Sequence, residues 1–190
     1  MFIFDYILSS RELMNNDIES VYLSQKEIAK RVKEMAQKIN EDYVGKDILL
    51  VPTLKGSFMF ASDLIRNIKL PCDIDFIALS SYGNTTETSG KVKITKDLTM
   101  DISNKHLIII EDIIDSGVTM DFLINYLKLK NAASVEIATL LNKPARRKKD
   151  IDIKYSGFEV EDQFLVGYGL DYAEKYRNLP YIGILKSELI

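Results

Sequence analysis

The run Leu107-Ile108-Ile109-Ile110-Glu111-Asp112-Ile113-Ile114-Asp115-Ser116-Gly117-Val118-Thr119 sets three carboxylates and two hydroxyls close together behind four apolar residues. Carboxylates at the end of a buried strand are costly unless they are hydrogen-bonded or paired with a metal. At that position Glu111 and Asp112 can accept hydrogen bonds from ribose hydroxyls, directly or through Mg²⁺ and its waters. The loop behind them offers the opposite chemistry. A helix start leaves its first N–H groups unpaired and partially positive, which stabilises a phosphate. Ser116 and Thr119 add hydroxyl donors, and Gly117 lets the backbone approach closely. Each half has a plainer explanation by itself: Asp115 or Ser116 capping a helix, or Glu111 and Asp112 solvated in a turn. Side by side, behind a buried strand, they read as a site. Two other phosphate signatures are missing. No G-x-x-x-x-G-K-[ST] occurs, and Gly167-x-Gly169 lacks a third glycine and precedes no clear helix.

Such a site needs a frame. The 190 residues suffice for one domain with a real core. The balance of 46% hydrophobic and 28% charged residues is that of a globular protein. A net charge of −3 and a pI of about 5.3 argue against a broad nucleic-acid or membrane footprint. One cysteine, Cys72, excludes an internal disulfide and a multi-cysteine metal site, and fits a cytoplasmic location. No apolar run approaches a membrane span. The apolar start, residues 1–8, lacks a basic flank and carries Asp5, so it reads as packed structure and not as a signal peptide.

The periodicity supplies the elements. Ser24-Gln25-Lys26-Glu27 reads as a capping box, and Ile28, Val32, Met35, Ala36 and Ile39 follow at helical spacing. Strands are expected at 47–52, 72–80, 107–110 and 134–141, with helices at 57–68 and 119–130. This order predicts an α/β fold: a doubly wound, mostly parallel sheet flanked by helices. Ligands bind beyond the carboxyl ends of such strands, where the motifs lie. Two segments depart from the alternation. Residues 81–97 are rich in Thr, Ser and Gly, as a functional loop would be. The tail beyond Leu141 is expected to form short strands as a hood over the strand ends.

Residues 109–119 resemble the phosphoribosyl-pyrophosphate (PRPP) motif of type I phosphoribosyltransferases. Further segments narrow the resemblance to the hypoxanthine-guanine branch of that family. Leu54-Lys55-Gly56 resembles its pyrophosphate loop. Ser80-Ser81-Tyr82-Gly83 and Gly90-Lys91-Val92-Lys93-Ile94 resemble the two ends of its lid. Leu141-Asn142-Lys143-Pro144 is similar to its purine-reading segment. Val166-Gly167-Tyr168-Gly169-Leu170-Asp171-Tyr172 and Tyr176-Arg177-Asn178-Leu179-Pro180-Tyr181 resemble its C-terminal signature. The resemblance runs from about residue 21 to 185. It departs from common patterns at Ser116, where Thr is frequent, and at Leu165, where Val is frequent.

The resemblance implies one domain over 1–190, with a core over about 41–142, a hood from about 1–23 and 143–190, and a lid over about 81–97 that includes Ser81 and Tyr82. It implies that Lys55, Gly56 and Arg177 bind pyrophosphate, with a non-proline cis peptide between Leu54 and Lys55. Glu111 and Asp112 would hold the ribose and, indirectly, one Mg²⁺, and Asp171 would anchor a second. Asp115 would be the general base at purine N7. Ser116, Gly117, Val118 and Thr119 would cradle the 5′-phosphate. Lys143 would donate to the 6-oxo group, Phe164 would stack on the purine, and the Leu165 backbone would meet its Watson–Crick edge. The implied reaction joins PRPP to N9 of hypoxanthine or guanine, giving IMP or GMP and pyrophosphate. A lysine donor faces a donor in adenine, so adenine is expected to be refused. The implied assembly is a homodimer or homotetramer, with no nucleic-acid or membrane partner. Competing readings are a catalytically silent nucleotide sensor that binds RNA through the basic residues of 143–149, and an enzyme for a pyrimidine or adenine.

Overall fold

The computed structural model describes residues 14–81 and 92–190. A large sheet follows the spatial order β5(Val92–Lys96), β4(Ile77–Ser81), β2(Ile48–Leu54), β6(His106–Ile114), β7(Ser134–Asn142), β8(Tyr155–Glu159), and β3(Cys72–Ile74) also pairs with β2. All of its pairings are parallel except β4 with β5. The period-two alternation of β2 and β6 sorts their side chains between two cores. Ile48, Leu50, Ile108 and Ile110 pack toward α1(Gln25–Asp42) and α2(Phe58–Asn67). Leu49, Val51, Leu107 and Ile109 pack toward α3(Val118–Lys128). Helices therefore cover both faces, as the alternation of elements predicts.

Local chemistry explains the boundaries. The Ser24 side chain caps α1 while Glu27 returns a bond to the Ser24 N–H at 2.8 Å, and Ile28, Val32, Met35, Ala36 and Ile39 are buried. The single strand expected over 72–80 is two strands, because they pair with opposite ends of β2. Asp75, buried between them, turns inward and accepts hydrogen bonds from the N–H groups of Phe76, Thr99 and Met100. β6 does not stop at Ile110. Its pairing with β2 stops there, at Pro52, but pairing with β7 continues to Ile114 opposite Asn142. Part of the polar segment expected as a loop is β5, antiparallel to β4.

The tail divides between two sheets. Tyr155–Glu159 is the edge strand of the large sheet, whereas β9(Leu165–Val166) and β10(Ile182–Leu185) join β1(Ile18–Leu23) in a small antiparallel sheet of order β1-β10-β9. Leu23, Leu165 and Ile182 from the small sheet lie in the same buried cluster as Ile48 and Leu50. This shared core holds the segment around 164–177 over the carboxyl ends of β2, β6 and β7.

Candidate active site

The site begins with the tip of β2. Thr53 is buried, and its hydroxyl donates to Glu111 Oε2 at 2.5 Å. The next peptide, Leu54–Lys55, is cis. Gly56 lies against Asp112, where a β-carbon would overlap the Asp112 carboxylate, so only glycine permits the approach. Glu111 and Asp112 both lie inside β6, yet their charges still meet. Desolvation and the neighbouring Asp112 carboxylate push the Glu111 carboxyl well above the usual carboxylate range, despite the Thr53 bond. Desolvation raises Asp112 too, offset in part by hydrogen bonds from Glu111 and from the Ile113 N–H at 2.8 Å. A pair of carboxyls held this close favours a cation or sugar hydroxyls beside it.

Beyond β6 the chain turns into α3. Gly117 is the N-cap residue, with φ +78°, and has no side chain to cap the helix; the Ser116 hydroxyl accepts a long bond from the Val118 N–H at 3.4 Å. The first turn of α3 still presents N–H groups that the helix itself does not satisfy, a place where an anion is stabilised. Glu111, Asp115, Ser116, Gly117 and Thr119 line a cavity of about 150 Å³ at this point. Val118 starts the helix and contributes its backbone. Asp115 Oδ1 is buried and has no hydrogen-bond partner among the described residues. A buried carboxylate oxygen without a donor is costly, and its exception asks for a ligand or a chemical role.

Lys143 follows β7 directly. It is only 7% exposed, and its ammonium donates to Gln163 O at 2.9 Å and lies 3.4 Å from Asp162 Oδ1. An ammonium has three donors, so one is left for a ligand. Next to Gln163, Phe164 is 39% exposed, and Tyr172 meets it edge-on at 5.4 Å. It is an aromatic surface open to a planar ligand. Leu165 is buried in β9, opposite Ile184.

The third group is cationic. Lys55 Nζ contacts both oxygens of Glu174, at 3.1 and 3.2 Å. Arg177 contacts Glu174 at 3.2 Å, Asp171 at 2.8 Å and the Gly169 carbonyl at 2.8 Å. Its buried Nε has no partner among the described residues. Asp171 also accepts the Glu174 N–H at 2.9 Å. The structure thus brings Lys55 and Arg177 together through Glu174, a residue that none of the motifs marks. Thr53 and Asp162 are further site residues that the motifs do not mark; only their closeness to Lys55 and Phe164 in the chain hints at them. Ser81 closes β4, and Tyr82 lies outside the described residues.

No three His, Cys, Asp or Glu side chains converge as a metal cage among the described residues. The donor set nevertheless fits Mg²⁺, which keeps several waters and is typically held by one or two carboxylates together with substrate phosphates. Glu111 and Asp112 form one such carboxylate pair, and Asp171 is a separate single carboxylate.

Comparison with known proteins follows the same outline. A family model described as the phosphoribosyl transferase domain matches residues 20–173. The hypoxanthine-guanine phosphoribosyltransferase of Bacillus subtilis (strain 168) is 49% identical over 174 residues, 92% of this chain and 97% of that protein. The bifunctional protein TilS/HprT of Listeria monocytogenes is 46% identical over 182 residues. That match takes in 96% of this chain but spans only 28% of the bifunctional protein. A crystal structure of a hypoxanthine phosphoribosyltransferase from Staphylococcus aureus superposes with a TM-score of 0.90 at 48% identity, over 93% of this chain and 96% of the other.

Proposed function

The chain belongs to the phosphoribosyltransferase family, and on that premise we propose that it transfers the 5-phosphoribosyl group of PRPP to N9 of hypoxanthine or guanine. The products are IMP or GMP and pyrophosphate, a purine-salvage reaction. The observation that carries this reading is the buried Asp115 Oδ1, without a hydrogen-bond partner among the described residues, beside the start of α3. It sets a proton acceptor next to an anion cradle. The relatives named above are the source of the substrate assignment.

The residues divide the work by position. The N–H groups of 116–119 and the hydroxyls of Ser116 and Thr119 hold the 5′-phosphate. Glu111 and Asp112 accept the ribose hydroxyls. Phe164 stacks on the base, and the free donor of Lys143 reads its 6-oxo group. As N9 attacks the ribose C1, the bond from C1 to pyrophosphate breaks, and Asp115 takes or steadies the proton at N7. Lys55 and Arg177 stabilise the negative charge gathering on pyrophosphate. Glu111 and Asp112, indirectly, and Asp171 would hold Mg²⁺, which would supply further positive charge against the leaving group. Residues 81–97 include the lid that keeps water from the ribose. The same reading places the protein in the cytoplasm as a homodimer or homotetramer.

A steady-state assay with PRPP and Mg²⁺, offering hypoxanthine, guanine, xanthine and adenine separately, tests the proposal. The expected outcome is turnover of hypoxanthine and guanine and none of adenine. Turnover of adenine would overturn the role of Lys143. Absence of turnover with every base would overturn the enzymatic reading.

A further inference from the structure

The phosphate loop is held from behind by the segment 142–149. Three successive carbonyls, of Ile114, Asp115 and Ser116, all accept hydrogen bonds from it. The Lys143 N–H donates to Ile114 O at 2.9 Å. The Lys148 and Lys149 N–H groups both donate to Ser116 O, at 2.9 and 3.1 Å. Between them stands the Arg147 side chain, whose Nε donates to Asp115 O at 3.1 Å and whose terminal nitrogen reaches Ile114 O at 3.4 Å. The Asn142 side-chain oxygen accepts from that same nitrogen and fixes the guanidinium in place. The segment packs so closely that a β-carbon on Gly117 would crowd the Lys149 carbonyl and the Arg147 and Ile151 side chains.

In a trans peptide the carbonyl of one residue and the N–H of the next point in opposite directions. Carbonyls pinned toward 142–149 therefore turn the N–H groups of Asp115, Ser116 and Gly117 away from that segment, the side on which an anion is to be met. We propose that Arg147 is a positioning residue for the phosphate cradle: by holding the carbonyls of Ile114 and Asp115 it aims the N–H groups that follow them, those of Asp115 and Ser116, at the 5′-phosphate. Its fork is suited to this, because one planar guanidinium reaches two carbonyls and an amide oxygen at once, which a lysine cannot do. Lys143 and Arg147 lie on the same short segment, so base reading and phosphate holding share one support.

The inference rests on the proposed phosphoribosyl transfer, and its test keeps the two apart. Equilibrium binding of IMP, and separately of pyrophosphate with Mg²⁺, is measured for the parent chain, Arg147→Gln, Arg147→Lys and Asn142→Ala, with a thermal melt of each. The expected result is IMP affinity at least tenfold weaker in both Arg147 variants and intermediate in Asn142→Ala, while pyrophosphate affinity stays within twofold. Pyrophosphate is the internal control because Lys55 and Arg177 lie elsewhere. Unchanged IMP affinity, rescue by Arg147→Lys, or equal weakening of both ligands would overturn the positioning role. If Arg147→Gln does not fold, Asn142→Ala decides by the same ratio. A parent chain that binds neither ligand would instead overturn the proposed function, and the positioning role with it.

Discussion

Asp115 acts through two ends of one residue. Its backbone carbonyl is held by Arg147, while one oxygen of its carboxylate is buried without a hydrogen-bond partner among the described residues. Asp115→Asn keeps the size and the backbone bond but removes the proton acceptor. We expect kcat to fall by about 100-fold or more, the usual scale of a general acid–base group, and a steady-state assay of the purified variant checks it. Undiminished turnover would take Asp115 out of the chemistry. The residues of the acidic run were legible in the sequence because their types and spacing carry the chemistry locally. Thr53, Glu174 and Arg147 were not, because they act on partners 58, 119 and 32 residues away in the chain. No spacing rule reaches that far; such pairs appear only when the sheet brings the strand ends together.

At the scale of elements, Asp75 is the hinge pin of the β4–β5 ribbon. Its carboxylate gathers the N–H groups of Phe76, Thr99 and Met100 and the Thr99 hydroxyl, and Lys96 lies 3.3 Å away. Burial works to raise its pKa, but these hydrogen bonds overcome it and bring it down to about 2. A carboxyl that is more acidic folded than unfolded stabilises the protein above its ordinary value, near pH 4, and the gain is lost as pH falls through about 2. A depression of this size corresponds to about 2 kcal/mol at neutral pH. Asp75→Asn is therefore expected to be less stable than the parent at pH 7, with the gap closing toward pH 2. Urea unfolding at a series of pH values measures this, and a gap that does not change with pH would refute it. Capping explains why α1 was legible: Ser24 and Glu27 mark its start in the chain. The split of 72–80 into β3 and β4 was not, because Asp75 sits inside an apolar-flanked run and reveals its purpose only against residues 96–100.

Over the whole molecule, two sheets share one core. Leu23, Leu165 and Ile182 of the small sheet are buried with Ile28, Ile48 and Leu50 of the large layer. Apolar surface buried jointly is lost jointly, so the hood is expected to melt with the rest in one cooperative transition. Coincident far-UV and near-UV denaturation curves would show it; two separated midpoints would mean that the small sheet unfolds by itself. The alternation of strands and helices made the large sheet legible from the sequence. The small sheet was less so, since β1 pairs with β10 from the opposite end of the chain, Val21 against Gly183, through strands too short to announce a partner.

The two cations that the proposed reaction assigns to the leaving group, Lys55 and Arg177, already hold an anion of their own. Glu174 bridges Lys55 and Arg177 from an exposed turn, and exposed ion pairs are weak and quickly broken. A tethered carboxylate needs no diffusion to return, however, because it is always at high local concentration. Were a product phosphate to loosen its hold on Arg177, Glu174 would stand ready to replace it. In the proposed reaction the bridge would open when pyrophosphate arrives and compete for the same two cations as it leaves.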